Sequence, residues 1–364
     1  VAAWVVVCVG GGAFAGGFSD AFVDGKANLD IRYRYEFVKT DGTEFNANAS
    51  TIRLRLGYET AYYKNFFAHF SFSSNRPIGS ERYNSLRNGL TQYRVVVDPK
   101  ATVVDQLFIG WAKIARTRFV VGRKMINLDN QRFVGAVGWR QTRQTFDAFV
   151  AQSGYFKRTQ LFYAYLNNQN TITATNVGHN SHLINAAYDF SPGKLSAYGY
   201  LLDFKNMNEA SNKSFGLRFD GSLELSETID LLYTGEYANQ SPYKGGNGVA
   251  GFVTPLATLH KFNGWADRFL ATPAGGLRDA YLEATGTIAG IKLIGVFHDF
   301  RADVGGGKYG SEFDFYAGKW FRRRYLIAFN YARYMTAADP GAPFGPPLHT
   351  RDNEKVWAFL QLKI

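Results

Sequence analysis

Only one cysteine, Cys8, occurs in the 364 residues, so no intrachain disulfide framework and no cluster of thiolate ligands can organise the chain. There is no run of 18 or more apolar residues, which excludes a bundle of membrane-spanning helices. The Gly-x-Ser-x-Gly elbow, the His-Glu-x-x-His pair and the phosphate-binding loop are all missing, so the common signatures of hydrolases, zinc enzymes and nucleotide-binding proteins are absent. No linker, charge block or low-complexity stretch divides the sequence. The expectation is one domain over 16–364, with no cofactor and no metal.

The first segment has a different character. Val1 to Ala15 is an apolar run followed by small residues and an Ala13-Phe14-Ala15 end. That layout matches the apolar region and cleavage site of a secretory signal, without its basic start. A lipid-anchor cysteine fits less well, because Val7 precedes Cys8 where a small residue is expected. A first strand is disfavoured by Gly10-Gly11-Gly12. Residues 1–15 are therefore expected to be a signal-peptide remnant.

What the chain does have is aromatic residues, glycine and alternation. It holds 31 Phe and 22 Tyr, with Gly at 38 and charged residues at 20%. In Leu29, Ile31, Tyr33, Tyr35 and Phe37 the apolar positions alternate with Asp30, Arg32, Arg34 and Glu36. Ile52, Leu54, Leu56 and Tyr58 do the same against Arg53, Arg55 and Glu59. Side chains two apart share a face of a strand. Each such strand has one apolar face and one face of mixed charge. Lysine and arginine exceed aspartate and glutamate by 41 to 30, a net charge of +11. Such an excess implies an anionic partner or an anion-attracting surface. The charges stand singly at alternate positions rather than in runs, which argues against nucleic acid.

The connections decide what the apolar faces meet. Tight turns at Tyr63-Lys64-Asn65, Ala115-Arg116-Thr117, Ser191-Pro192-Gly193, Ser226-Glu227 and Arg322-Arg323-Arg324 alternate with long segments. The long ones are about 77–103, 127–144, 168–181, 240–278 and 336–353. Short turns at one end and long loops at the other are the pattern of an outer-membrane barrel, in which alternate residues face lipid and lumen. Sixteen strands are expected, from 26–38 to 354–364. The fold class is all-β: a transmembrane antiparallel up-and-down β-barrel of about 16 strands, with 18 as the other count. A barrel of this size leaves a water-filled lumen. Tyr62, Tyr63, Phe66, Trp320, Phe321 and Tyr325 are expected at the membrane interface. The last strand, Val356 to Ile364, would pair with the first. Val356, Ala358, Leu360, Leu362 and Ile364 would face lipid, although Trp357 and Phe359 fall on the other side.

Arg32, Arg34, Arg53 and Arg55 form the sharpest constellation, because adjacent antiparallel strands place them on one lumenal patch. Arg123 and Arg218 are expected to add to it. A basic wall raises the local concentration of anions in a confined channel. Asp30, Glu36, Glu59, Asp220, Glu236 and Glu283 point the same way, so a balanced lining is the other reading. Segment 127–144 mixes Arg132, Arg140 and Arg143 with Trp139 and amides, donors that suit carboxylates and sugar rings. Folded inward, it would narrow the pore. Segment 254–270 offers His260, Lys261, Trp265, Asp267 and Arg268. His179 and His182 read as surface histidines in a loop.

Two stretches, Gly122-Arg123-Lys124 through Asp147 and Thr254-Pro255-Leu256-Ala257-Thr258-Leu259-His260-Lys261-Phe262 on to Pro273, resemble the alginate-export family of Gram-negative outer-membrane β-barrel porins. Phe18-Ser19-Asp20-Ala21-Phe22 and the first strand do so as well. The resemblance implies a monomeric outer-membrane channel with an electropositive lumen and restricting loops, and for the alginate exporter itself passage of an anionic polysaccharide. One departure is that relatives carry a further hairpin between the positions of Tyr237 and Phe252. This chain has only Gly245-Gly246-Asn247-Gly248 there, which favours sixteen strands. Ile364 also replaces the usual terminal Phe.

The function expected is a passive outer-membrane channel for small or oligomeric anionic solutes, with carbohydrates favoured. Its partners would be outer-membrane lipid, lipopolysaccharide and the solute. A monomer is expected and a trimer is left open. A barrel-embedded hydrolase and a surface carbohydrate-binding β-protein are the competing classes.

Overall fold

The computed structural model describes residues 15–43, 45–226, 229–244, 251–337 and 350–364. Nearly all of the signal segment, the Gly245–Gly248 bridge and most of 336–353 lie outside these residues. A short helix, α1 (Phe18–Val23), precedes sixteen strands. They are β1 (Lys26–Thr40), β2 (Ala47–Glu59), β3 (Phe66–Pro77), β4 (Ala101–Trp111), β5 (Thr117–Lys124), β6 (Thr145–Ser153), β7 (Thr159–Asn170) and β8 (Asn176–Phe190). Then come β9 (Gly193–Leu202), β10 (Asn212–Ser226), β11 (Ile229–Pro242), β12 (Arg278–Ile288), β13 (Ile291–Arg301), β14 (Lys308–Phe321), β15 (Tyr325–Thr336) and β16 (Asn353–Lys363).

Among the described residues, sixteen strands form one antiparallel sheet in which each pairs with its sequence neighbours, except that β11 and β12 do not pair with each other, and β1 pairs with β16. In lipid, backbone groups must be satisfied within the sheet, so this ladder is a condition of spanning. The eleven residues of β16 reach roughly 37 Å, enough to cross an apolar band of about 25 Å at a barrel's tilt. Among the described residues, β11 and β12 are the two strands without a second partner. The first and last strands meet as expected, and the open edges lie instead on either side of the connection between β11 and β12.

Facing follows the alternation. In β1 the even residues Arg32, Arg34 and Glu36 are buried inside the sheet, and the intervening apolar residues look outward. In β16, Trp357 and Phe359 are buried inside while Ala358 and Leu360 are exposed, so the lipid face expected for this strand holds. Two of the aromatics expected at the interface sit inside. Tyr62 is buried against Phe67, with ring centroids 5.0 Å apart. Trp320 shares the inward parity of Glu312 and Asp314 and lies under the Lys363 ammonium at 5.2 Å. Phe66, Phe321 and Tyr325 are exposed on the outer face.

The segment expected as a loop over 168–181 is mostly strand. β7 runs to Asn170 and β8 starts at Asn176, joined through Thr171, Thr173 and Thr175, whose hydroxyls bond one another. His179 is consequently not a surface histidine. It is fully buried, Nδ1 lying 2.9 Å from Ser181 Oγ and Nε2 3.2 Å from Gln169 Oε1. His182 sits on the same strand, 3.0 Å from the Tyr163 hydroxyl.

The lumen is not simply filled with water. One apolar cluster joins Phe108, Phe146, Leu166, Leu183 and Tyr200 of the wall to Leu128, Phe133, Val134 and Leu256 of the long loops. A second joins Trp357, Phe359, Phe300 and Tyr334 to Ala266 and Phe269. These loop residues are in effect the core of the protein, because sixteen strands enclose more space than wall side chains can fill.

Candidate functional site

Two long loops enter the lumen and lock together. Val134 bridges Leu256, Gly135 N–H donates to the Leu256 carbonyl at 2.8 Å, and Thr258 N–H donates to the Gln131 carbonyl at 3.1 Å. Gln144 Nε2 donates to the carbonyls of Gly135 and Leu256 at 2.9 and 3.1 Å. A side chain at Gly135 would collide with the Thr258 hydroxyl, so the close approach requires glycine here. The result is one crosspiece made of residues 127–144 and 254–270.

Arginines of the wall hold it. Arg32 donates to Gln141 Oε1 at 2.9 Å and to the carbonyls of Gly138, Trp139 and Arg140 at 3.1, 3.0 and 2.5 Å. Arg34 donates to the Trp139 carbonyl at 2.7 Å and pairs with Glu36 at 2.9 Å and with Asp98. Arg53 pairs with Asp30 at 2.6 Å. All three are more than nine-tenths buried, so the basic patch expected to stand open in the lumen is largely spent on loop carbonyls and carboxylates. Arg55 is also mostly buried, its side chain 11% exposed, and lies 3.3 Å from Asp105, which also takes Arg143 Nε at 2.7 Å.

The loop residues meet the same network from the other side. Arg140 pairs with Glu36 at 3.2 Å and Asp267 at 3.4 Å. Asp267 also takes Lys355 at 2.6 Å and His260 at 2.7 Å. Burial alone would raise the Asp267 carboxyl, but His260, Lys355 and Arg140 outweigh it and hold the group well below the usual range. Burial would likewise lower the Arg140 guanidinium, and Glu36 and Asp267 raise it instead. Trp139 stacks on His260 and meets Trp357 and Phe359 edge-on at 5.4 and 5.2 Å. Trp265 N–H donates to Asp314 Oδ2 at 3.3 Å and Ala266 N–H to Glu312 Oε1 at 2.6 Å. Lys261 donates to the Asn130 carbonyl at 3.0 Å. Arg268 lies apart from this group, toward the outer mouth.

Beside the crosspiece an open cavity of about 1560 Å³ runs along β6 to β13. Arg132 and Arg218 line it. Arg132 lies over the Phe262 ring at 4.3 Å, and Arg218 is held by Glu236 at 2.9 Å and by Asp220. Asp129, Asp189, Asp220, Glu224, Asp230, Glu236 and Glu283 outnumber Arg132, Lys194, Arg218 and Lys261 on its walls.

Arg123 departs from expectation. It pairs in register with Leu107 and Asp147 and is ion-paired to Asp147 at 2.7 Å. Leu107 is exposed on the outer face, so Arg123 looks outward, and its neighbour Lys124 takes the inward position over Phe108 at 4.6 Å. Asp98, Gln141, Lys355, Glu312 and Asp314 are contact residues that no sequence pattern marked.

An antiparallel spanning sheet with short turns at one end, long loops at the other and a lumen narrowed by inward loops defines the porin class of outer-membrane proteins. A family model described as alginate export matches residues 26–241, and the chain belongs to that family. Its location is the outer membrane of a Gram-negative bacterium. The fold is similar to OccAB2 of Acinetobacter baumannii, with 13% identity, a TM-score of 0.71 and coverage of 94% of this chain and 99% of that one. OccK2 (OpdF) of Pseudomonas aeruginosa gives 10% identity and a TM-score of 0.71 over 94% and 98% of the two chains. OpdK of Pseudomonas aeruginosa, solved with vanillate, gives 11% and 0.68 over 93% and 98%. At such identities the likeness is one of fold. No curated protein sequence matches the chain.

Proposed function

We propose that this protein is a passive channel for small or oligomeric solutes bearing negative charge, with sugar acids and other carbohydrates favoured, and that it acts as a monomer without enzymatic activity. Arg32 and Arg34 serve it by fixing the crosspiece, and Arg55 and Arg143, both held at Asp105, by adding positive charge to the wall of the passage. The observation that carries the reading is the charge of the wall below the crosspiece. There Arg55, Arg118, Lys124, Arg143 and Lys363 stand against Asp30, Glu59 and Asp105 on inward-facing positions of β1, β2, β4, β5 and β16 and on the loop. A positive excess in a narrowed passage favours anions. The family's description, alginate export, names a polyanionic sugar, and vanillate in the OpdK structure is a carboxylate.

A cation-preferring passage is the second reading, and the acidic balance of the large cavity favours it. Reversal potentials across a planar bilayer under a salt gradient decide between them. The anion reading expects a sign set by chloride, and Arg55→Glu and Lys124→Glu should each move it toward cations. Arg123→Glu, on the outer face, should leave it in place. A cation-selective wild type, or a reversal potential indifferent to Arg55 and Lys124, would reject the anion reading.

A further inference from the structure

Three loops at the extracellular end each bring one arginine to the same place. Arg94 comes from the β3–β4 connection, Arg268 from the β11–β12 connection and Arg351 from the β15–β16 connection. Arg268 donates to the Arg351 carbonyl at 3.2 Å and lies over the Tyr334 ring at 5.6 Å. Arg351 donates to the Gly42 carbonyl at 3.0 Å, in the β1–β2 connection. The ring of Phe45, in the same connection, packs edge-on against Tyr93 at 5.7 Å, which seats Arg94 beside the other two. The guanidiniums are close enough to oppose one another. Burial lowers Arg268 to about 10, Tyr334 and Glu312 opposing the shift and Arg94 and Arg351 adding to it, and burial together with Arg351 lowers Arg94.

These arginines differ from most of those of the lumen. Arg34, Arg53, Arg140, Arg143 and Arg218 each have a carboxylate partner. Among the described residues, no carboxylate lies within 4.0 Å of Arg94, Arg268 or Arg351. Asp352, next to Arg351 in sequence, and Glu354, three residues on, turn instead to Arg333 at 3.9 Å. As in Arg34, Arg53, Arg55 and Arg118 of the wall, the Nε atoms of Arg94 and Arg268 are shielded from water and have no hydrogen-bond partner among the described residues. A buried donor without an acceptor is costly, and so is a set of like charges held together without a counter-charge. An oxyanion cures both faults, since the guanidinium fork matches its geometry.

We infer that Arg94, Arg268 and Arg351 form an oxyanion-binding site at the extracellular mouth, which takes a carboxylate or phosphate group. Two sources offer that chemistry: a soluble anion, or the phosphate of lipopolysaccharide in the outer leaflet. The site stands on the three loops alone and would exist in a barrel that conducts nothing.

The test is calorimetric titration of the full chain, purified in detergent free of lipopolysaccharide, with inorganic phosphate, glucuronate and lipid A micelles. Binding of phosphate and glucuronate assigns the site to soluble anions, and binding of lipid A alone assigns it to the lipid. In either case Arg94→Gln, Arg351→Gln and Arg268→Lys should weaken the interaction at least tenfold, because lysine keeps the charge of Arg268 and loses the fork. Arg323→Gln, on a turn at the opposite end, should bind as wild type. Arg94 and Arg351 are partly or fully exposed, so their variants keep the test valid if Arg268→Lys fails to fold. Absence of binding for all three probes, or unchanged affinity in Arg94→Gln and Arg351→Gln, overturns the inference. Bilayer conductance recorded on the same samples separates this result from the channel reading, which a silent barrel would defeat without touching the titration.

Discussion

Trp139 lies flat against His260, with ring centroids 4.2 Å apart and planes 15° from parallel. The contact joins the middle of one inward loop to the other, and the edge of Trp357 closes on both rings at 5.4 and 5.6 Å. The barrel wall and the two loops therefore share one aromatic cluster. Movement of either loop has to break it.

Loss of that cluster should open the passage. Aromatic pairs of this kind contribute about 1 kcal/mol each beyond the area they bury, and Trp139 makes three such contacts. Trp139→Ala is expected to raise single-channel conductance and its fluctuation, with the sheet unchanged by circular dichroism. Trp357→Ala removes a fully buried wall residue and should cost about 3–5 kcal/mol of stability as well. Wild-type conductance in Trp139→Ala would mean that the crosspiece does not set the bore.

Acid should loosen the same cluster. Burial pushes the His260 imidazole below its ordinary value in spite of Asp267 beside it. An opened loop then binds the proton more readily than the closed one. The His260 contribution is complete above about pH 6.5 and is lost as pH falls through the lowered value. Asp267 has the same sign: burial opposes its ionisation, but His260, Lys355 and Arg140 depress it so far that its contribution erodes only in strong acid. Protease cleavage within 127–144 should accelerate below about pH 6.5, and His260→Gln should abolish that step. A cleavage rate in the wild type that stays flat through mild acid would contradict this account.

Arg34 should be the least replaceable of the wall arginines. It is fully buried, and its removal strands Glu36 and Asp98 as buried charges with a partner missing. Breaking one side of a buried ion pair costs about 3–5 kcal/mol. Arg34→Ala is thus expected to lower the thermal midpoint and the refolding yield sharply. Arg123→Ala breaks a pair that is a quarter exposed on the outer face and should cost less than about 1 kcal/mol. Comparable losses in the two variants would refute the difference in facing.

That difference also explains how far the sequence could be read. Alternation alone placed Arg32, Arg34, Arg53 and Arg55 on the inner wall, because β1 and β2 carry an unbroken period of two. β5 does not alternate, and Asp105 is an unpaired extra residue in β4, so the facing of Arg123 could not be counted from either strand. What the inward arginines touch was illegible for another reason. Their partners are backbone carbonyls of Gly138, Trp139 and Arg140, which no residue type announces. Asp98 and Lys355 complete the network from segments without any motif. The length and composition of 127–144 allow an inward fold, but its path depends on Gly135 meeting Thr258, a contact between residues more than a hundred positions apart.

The free edges of β11 and β12 carry a consequence for behaviour in lipid. Every amide on a paired strand exchanges its hydrogen only when the ladder opens, and each unpaired group in a bilayer costs several kcal/mol. Both edge strands are exposed along almost their whole length, Leu232, Tyr237, Tyr281 and Leu282 strongly so, and both border the large cavity. Water in that cavity can reach the unpaired groups, a route that the seam between β1 and β16 lacks. Hydrogen exchange in lipid nanodiscs should therefore be fastest in β11 and β12 and slowest in β1 and β16, although all four strands cross the same membrane. Equal protection would mean that β11 and β12 pair with each other in the bilayer. The cavity would then be sealed from the lipid on that side, and the lumen would have the mouth and the turn end as its two openings.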